Sequence, residues 1–96
     1  MKIYISGKIS DNPTFREDFE RAEQELIKGG WQVVNPARIF DLTSGYDWND
    51  YIIGGLLLLK DCQALYLLDN WESSAGANIE VIFAKKNKIY IMKETK

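Results

Sequence analysis

Ala64-Leu65-Tyr66-Leu67-Leu68 is an unbroken apolar run closed by Asp69, and no other segment constrains the fold as tightly. A strand with no polar position has no solvent face, so the run predicts a central strand of a parallel sheet covered on both sides. Parallel neighbours require crossover connections, usually helices. The rest of the chain supplies them. Lys2 to Ser6 is a short run of β-formers, and Gly7 follows as a turn residue. Asn12 offers an N-cap ahead of Pro13, and Phe15, Phe19, Ala22 and Leu26 recur at helical spacing until Gly29-Gly30. Trp31 to Val34 is a second apolar run. It ends at Asn35-Pro36, because proline disfavours helix at the residue before it and cannot donate to a sheet ladder.

From Ala37 to Asp47 the chain is polar and without periodicity, which predicts a mobile flap. Trp48 to Lys60 reads as a helix despite Gly54-Gly55, with Trp48, Ile52, Leu56 and Leu59 on one stripe and Ile53 and Leu57 on another. A helix apolar on two sides needs cover on both. One side meets the sheet, and the other is expected to meet a second copy, as a homodimer or higher homo-oligomer. Ser73-Ser74 can cap a helix running to about Lys86, and Ile89 to Met92 makes a last strand. The resulting alternation predicts an α/β fold: a single domain over residues 1–96, with a three-layer, Rossmann-like (flavodoxin-like) parallel sheet of about four strands and helices on both faces. Ligands of such sheets bind beyond the carboxyl ends of the strands, where the strand order reverses. That places the residues after the first and third strands at the crevice.

Composition removes several chemistries. The chain has no histidine, which excludes Ser-His-Asp and Cys-His catalysis, and neither cofactor nor metal is expected. Twelve basic residues are balanced by fourteen acidic ones without a basic block, so a nucleic-acid polymer is not an expected partner. Cys62 is the lone cysteine, permitting no intrachain disulfide and fitting a reduced, cytoplasmic setting. No secretory signal is expected ahead of the first strand. The most apolar stretch, Ile52 to Leu59, falls well short of the ~20 residues that span a membrane.

Carboxylates and hydroxyls must therefore carry any chemistry. Glu80 follows Gly76 and Ala77 by four and three residues. Helical side chains lean toward the N-terminus, so its carboxylate overhangs that small-residue patch. Backbone N–H groups near Ser74 and Gly76 point at any anion docked in front. A plain solvent-facing glutamate is the alternative, although Phe83 and Ala84 give it no ion pair one turn on. The loop Ser6-Gly7-Lys8-Ile9-Ser10 offers hydroxyls and a cation suited to phosphate, without the glycines of a dinucleotide fingerprint or a P-loop. Lys8 and Ser10 read equally as solvated turn residues. Tyr4 either presents a phenol to the crevice or fills the core. Trp48 and Trp71 border the crevice and can stack on a planar ring, or simply pack. Asp47, Asp50 and Asp69 are possible proton donors, with Asp69 placed at the crevice by topology.

Lys2-Ile3-Tyr4-Ile5-Ser6-Gly7, Val33-Val34-Asn35-Pro36 and Ser74-Ala75-Gly76-Ala77-Asn78-Ile79-Glu80 together resemble the nucleoside 2-deoxyribosyltransferase superfamily, in particular its small bacterial and phage branch. The resemblance implies that Glu80 is the nucleophile. It implies that Ser74 stands where nucleotide-cleaving members have serine and nucleoside transferases have aspartate, which favours a 5′-phosphate ligand. Tyr4 matches the first-strand tyrosine, and Gly7, Lys8 and Ser10 match the loop that holds phosphate. One departure is that the helix aspartate of the family falls on Gly55, or on Gly54. A further aspartate falls on Gln63, with Asp61 nearby.

The resulting expectation is an N-glycosidase, hydrolase or transferase, acting on a (2-deoxy)nucleoside or its 5′-monophosphate. Glu80 attacks the sugar, Tyr4 stands beside it, and Asp69 or Asp50 assists the leaving base. Substrate contacts are expected from Gly7, Lys8, Ser10, Trp48, Asp50, Trp71, Ser74 and Gly76. The alternatives are a nucleotide-binding module without turnover, favoured by the missing helix aspartate, and a structural protein that oligomerises through the Ile52 to Leu59 helix.

Overall fold

A computed structural model describes residues 1–42, 45 and 47–95. The elements run β1 (Lys2–Ser6), α1 (Phe15–Lys28), β2 (Gln32–Val34), α2 (Pro36–Leu42), α3 (Trp48–Leu59), β3 (Ala64–Leu67), a 3-10 turn at Trp71–Ser73, α4 (Ala75–Lys86) and β4 (Tyr90–Lys93). All four strands pair in parallel, in the order β2-β1-β3-β4. Tyr4 lies between Val34 and Leu65, and Leu65 pairs onward with Ile91. The strand order reverses between β1 and β3, which places the crevice where topology requires it.

Alternation along the strands sorts two cores. Ile3 and Ile5 pack with Ala64, Tyr66, the α1 residues Phe19, Ala22 and Leu26, and Ala37 of α2. On the opposite face Tyr4 packs with Leu65 and Leu67, Leu59 of α3, and Val81 and Ala84 of α4. Helices thus cover both faces, in the expected three-layer arrangement. All of β3 is buried, while β2 and β4 at the sheet's edges are partly exposed. Ser6, two residues beyond Tyr4, shares its side of the sheet and opens toward α4. No helix among the described residues is long and apolar enough to cross a membrane.

Two sequence expectations are corrected. The stretch read as a flap begins as helix α2. Pro36 takes the first helical position, and the Asn35 side-chain oxygen accepts from the Ala37 amide at 2.9 Å, so the pair that stops β2 also starts a helix. The remainder of the flap reading falls partly on Thr43, Ser44 and Tyr46, which lie outside the described residues. Helix α1 opens at Phe15 after Thr14 rather than at Pro13. The Asn12 side chain instead accepts from the Thr14 amide at 3.2 Å and closes a turn.

Helix α3 is set by a reciprocal cap. The Asp50 amide donates to the Asp47 carboxylate at 2.9 Å, and the Asp47 amide donates to Asp50 at 3.1 Å. Ile53 and Leu57 on its outer side and Ile82 on α4 are more than half exposed. Just beyond the carboxyl end of β4 the Glu94 amide donates to the Leu67 carbonyl at 2.8 Å, and its carboxylate pairs with Arg21 at 3.1 Å.

Candidate active site

Glu80 rises from the second turn of α4 on the side facing β1, and it is 7% exposed. The Tyr4 hydroxyl donates to its Oε2 and the Ser6 hydroxyl to its Oε1, each at 2.6 Å. Both donors lie on one face of one strand, two residues apart, so the pleat itself spaces them to the carboxylate. Burial pushes the Glu80 carboxyl up to about 6, and the two hydroxyls hold it from going further. The Tyr4 phenol is raised well above its ordinary value, by burial first and then by the charge of Glu80. It therefore stays a donor.

Helix α3 closes over this pair. A Cβ on Gly55 would stand 2.6 Å from the Tyr4 hydroxyl oxygen and 2.9 Å from Glu80 Oε2, whereas Gly54 faces open space. Gly55 thus lets helix backbone rest directly on the tyrosine–glutamate pair. Beside it, Ile52 reaches over the bare patch of α4, where a Cβ on Gly76 would meet its Cδ1 at 2.9 Å.

Glu80 forms part of the wall of a cavity of about 260 Å³. Lys8, Ser10, Ser73, Ser74 and Gly76 line it, as do Trp48, Tyr51, Ile52 and Pro36. The phosphate-suited loop is fixed in place. The Asn70 side chain accepts from the Lys8 amide at 3.1 Å and the Asn12 amide group donates to the Lys8 carbonyl at 2.8 Å. Gly7 passes so close to Leu68 that a Cβ would sit 2.7 Å from its Cδ1. Ser74 caps α4 by accepting from the Ala77 amide at 3.1 Å and lies 3.5 Å from the Gly7 carbonyl oxygen. With the Ala77 amide taken by Ser74, the Ala75 and Gly76 amides are left without an intrahelical acceptor, an arrangement that suits an anion.

Of the sequence-predicted residues, the fold brings together Tyr4, Gly7, Lys8, Ser10, Trp48, Ser74, Gly76 and Glu80. Three others stand elsewhere. Asp69 borders a separate depression with Asp18, Arg21 and Glu94, and its amide donates to the Glu94 carboxylate at 3.0 Å. It lies on the side of β3 away from Glu80. Asp50 is engaged in the α3 cap and borders an apolar groove with Gly54 and Leu58. Trp71 packs on the α3–α4 core, with the Lys93 ammonium 5.8 Å from its ring centre. The sequence reading places Ser6 only in the phosphate-suited loop, not as a partner of Glu80, and misses Tyr51 and Ile52 as site residues. Only Ser6 carried a signal, as a hydroxyl on the same strand face as Tyr4.

No curated protein and no solved structure matches the sequence. A family profile described as Domain of unknown function (DUF4406) matches residues 1–93, and the chain belongs to that family.

Proposed function

We propose that the protein cleaves or transfers the N-glycosidic bond of a (2-deoxy)nucleoside or its 5′-monophosphate, with Glu80 as nucleophile. The observation that carries this reading is a buried glutamate without an ion-pair partner in the described structure, held through both oxygens and bordering a cavity that Lys8, Ser10 and the start of α4 also line. Histidine is not required, because the electrophile is an oxocarbenium-like carbon that a desolvated carboxylate attacks directly. Lys8, Ser10 and the first amides of α4 receive the phosphate. Trp48 and Tyr51 flank the base. An Oε–C1′ bond forms as the C1′–N bond breaks, and the base leaves with the electron pair and takes a proton from water. A second water, or another base, then attacks C1′ and returns the carboxylate. The buried free thiol of Cys62 accords with a cytoplasmic setting.

Incubation with a panel of deoxynucleoside monophosphates, followed by chromatography, is expected to release free base, and Glu80→Ala is expected to release none. The nucleophile must be ionised, so the rate should fall as pH drops through about 6. A second reading, a nucleotide-binding module without turnover, is favoured by glycine where the deoxyribosyltransferase resemblance expects an aspartate, at Gly55 or Gly54, and by the placement of Asp69 and Asp50 outside the cavity. Thermal stabilisation by nucleotide without base release would select it. Neither response would remove both readings.

The exposed Ile53, Leu57 and Ile82 support self-association through α3 and α4. Sedimentation at micromolar concentration should show a dimer or larger species. A monomer would overturn this part of the reading.

A further inference from the structure

The two hydroxyls on Glu80 are not equivalent. Tyr4 holds Oε2 and Ser6 holds Oε1, both at 2.6 Å. The three atoms nearest a Cβ built on Gly55 are Tyr4 Oη, Glu80 Oε2 and Tyr4 Cζ, the last at 3.7 Å. Oε1 lies farther from the roof that α3 makes. Ser6 ends β1, where the chain turns into the Gly7–Ser10 loop along the cavity wall. Oε2 therefore sits under helix backbone, while Oε1 is held by the residue from which the cavity-lining Gly7–Ser10 loop departs.

We infer that Ser6 is a positioning residue that fixes Oε1 of Glu80 as the attacking oxygen, while Tyr4 retains Oε2 as the oxygen that becomes the ester carbonyl. This assignment rests on the reading of Glu80 as a glycosyl nucleophile. Donors on opposite oxygens lock the carboxylate plane, which holds the reacting lone pair in one orientation. When the Oε1–C1′ bond forms and the base departs with the C1′–N electron pair, Oε1 gives up its charge and the Ser6 bond weakens. Tyr4 keeps its bond to Oε2. Water then attacks C1′, the C1′–Oε1 bond breaks, and Ser6 recaptures the freed carboxylate oxygen while the water proton passes to solvent. Among the described residues, the titratable groups around this centre are Tyr4 on β1, Cys62 in the core cluster behind it, Tyr51 on α3, and Lys8 and Asp11 along the cavity wall; α3 otherwise presents Ile52 and Gly55.

The test follows the Glu80 carboxyl directly by carbon-13 NMR titration, with its signal assigned through Glu80→Gln. Removing a donor to the ionised form should move the midpoint in Ser6→Ala upward by about one pH unit, and Ser6→Thr, which keeps a hydroxyl, should restore it. The acid limb of base release should move with it, and kcat should fall about 10–100-fold with KM unchanged within about twofold. An unmoved midpoint in Ser6→Ala, or a raised KM with intact kcat, overturns the assignment even if the wild type is active. If the wild type releases no base while the Ser6→Ala midpoint still shifts, the nucleophile reading and the attacking-oxygen assignment both fall, and only the hydrogen-bond clamp stands.

Discussion

Glu80→Gln is expected to unfold at a higher temperature than the wild type above pH 6 and to have lost base release by on the order of 10³-fold or more. The two effects have one cause. Holding the carboxyl at about 6 in the fold against an ordinary 4.5 costs the ionised protein roughly 2 kcal/mol at neutral pH, at about 1.4 kcal/mol per unit. Below about pH 4.5 the group is protonated in both folded and unfolded chains, and its favourable contribution is fully present. As pH rises to about 6 the unfolded chain ionises first, so that contribution is lost. Glutamine carries no such term. Its amide can accept from one hydroxyl and donate to the other, so the swap retains most of the polar contacts. The difference in unfolding temperature between the two proteins should therefore widen between pH 4 and pH 7.5, at about 4–8 °C per kcal/mol for a chain of this size. Thermal unfolding at the two pH values measures it. A difference that does not change with pH would show that Glu80 is not a buried, costly charge.

Alanine at adjacent positions of α3 should act in opposite directions. Gly54 faces open space, so Gly54→Ala should add about 0.5–1 kcal/mol by reducing the freedom of the unfolded chain. Gly55→Ala puts a methyl 2.6 Å from the Tyr4 hydroxyl oxygen and 2.9 Å from Glu80 Oε2. Tyr4 is buried in the core between the sheet and the helices, so α3 must lift, at a cost of about 1–3 kcal/mol. Gly55→Asp should be worse, because it adds a carboxylate beside the buried one. Denaturant melts of the two alanine variants give the comparison, and similar gains at both positions would mean that α3 is not seated on the site. At Gly55, then, a side chain would meet the tyrosine–glutamate pair and not empty space.

The sheet was legible because Ala64–Leu67 has no polar position and only a parallel, doubly covered strand accommodates that. Glu80 was legible only as a candidate: helix geometry leans it toward Gly76 and Ala77, but Ile52 covers Gly76 and the carboxylate meets Tyr4 and Ser6 of β1 instead. Asn35-Pro36 was half legible: the same two residues end a strand and cap a helix, and local pattern does not separate the roles. Asp69 was misplaced because topology locates the end of β3 but not the direction of a residue two positions beyond it. There the amide of Asp69 is turned toward Glu94. The bond from Ser6 to Glu80 joins residues 74 apart in sequence, and no spacing rule reports a contact of that kind. The closeness of Gly55 to Tyr4 is equally invisible until the helix is docked.

Because Tyr4 and Ser6 alternate with Ile3 and Ile5, the chemistry of the site also proofreads strand alignment. A β1 shifted by a single position during folding would turn both isoleucines toward the glutamate and both hydroxyls toward Phe19 and Ala22. The acid would then be entombed without donors, and the greasy opposite layer would receive two stranded alcohols. Misaligned forms are penalised twice by the same slip, so the pair of hydroxyls that clamps Glu80 also helps the chain find its one correct threading.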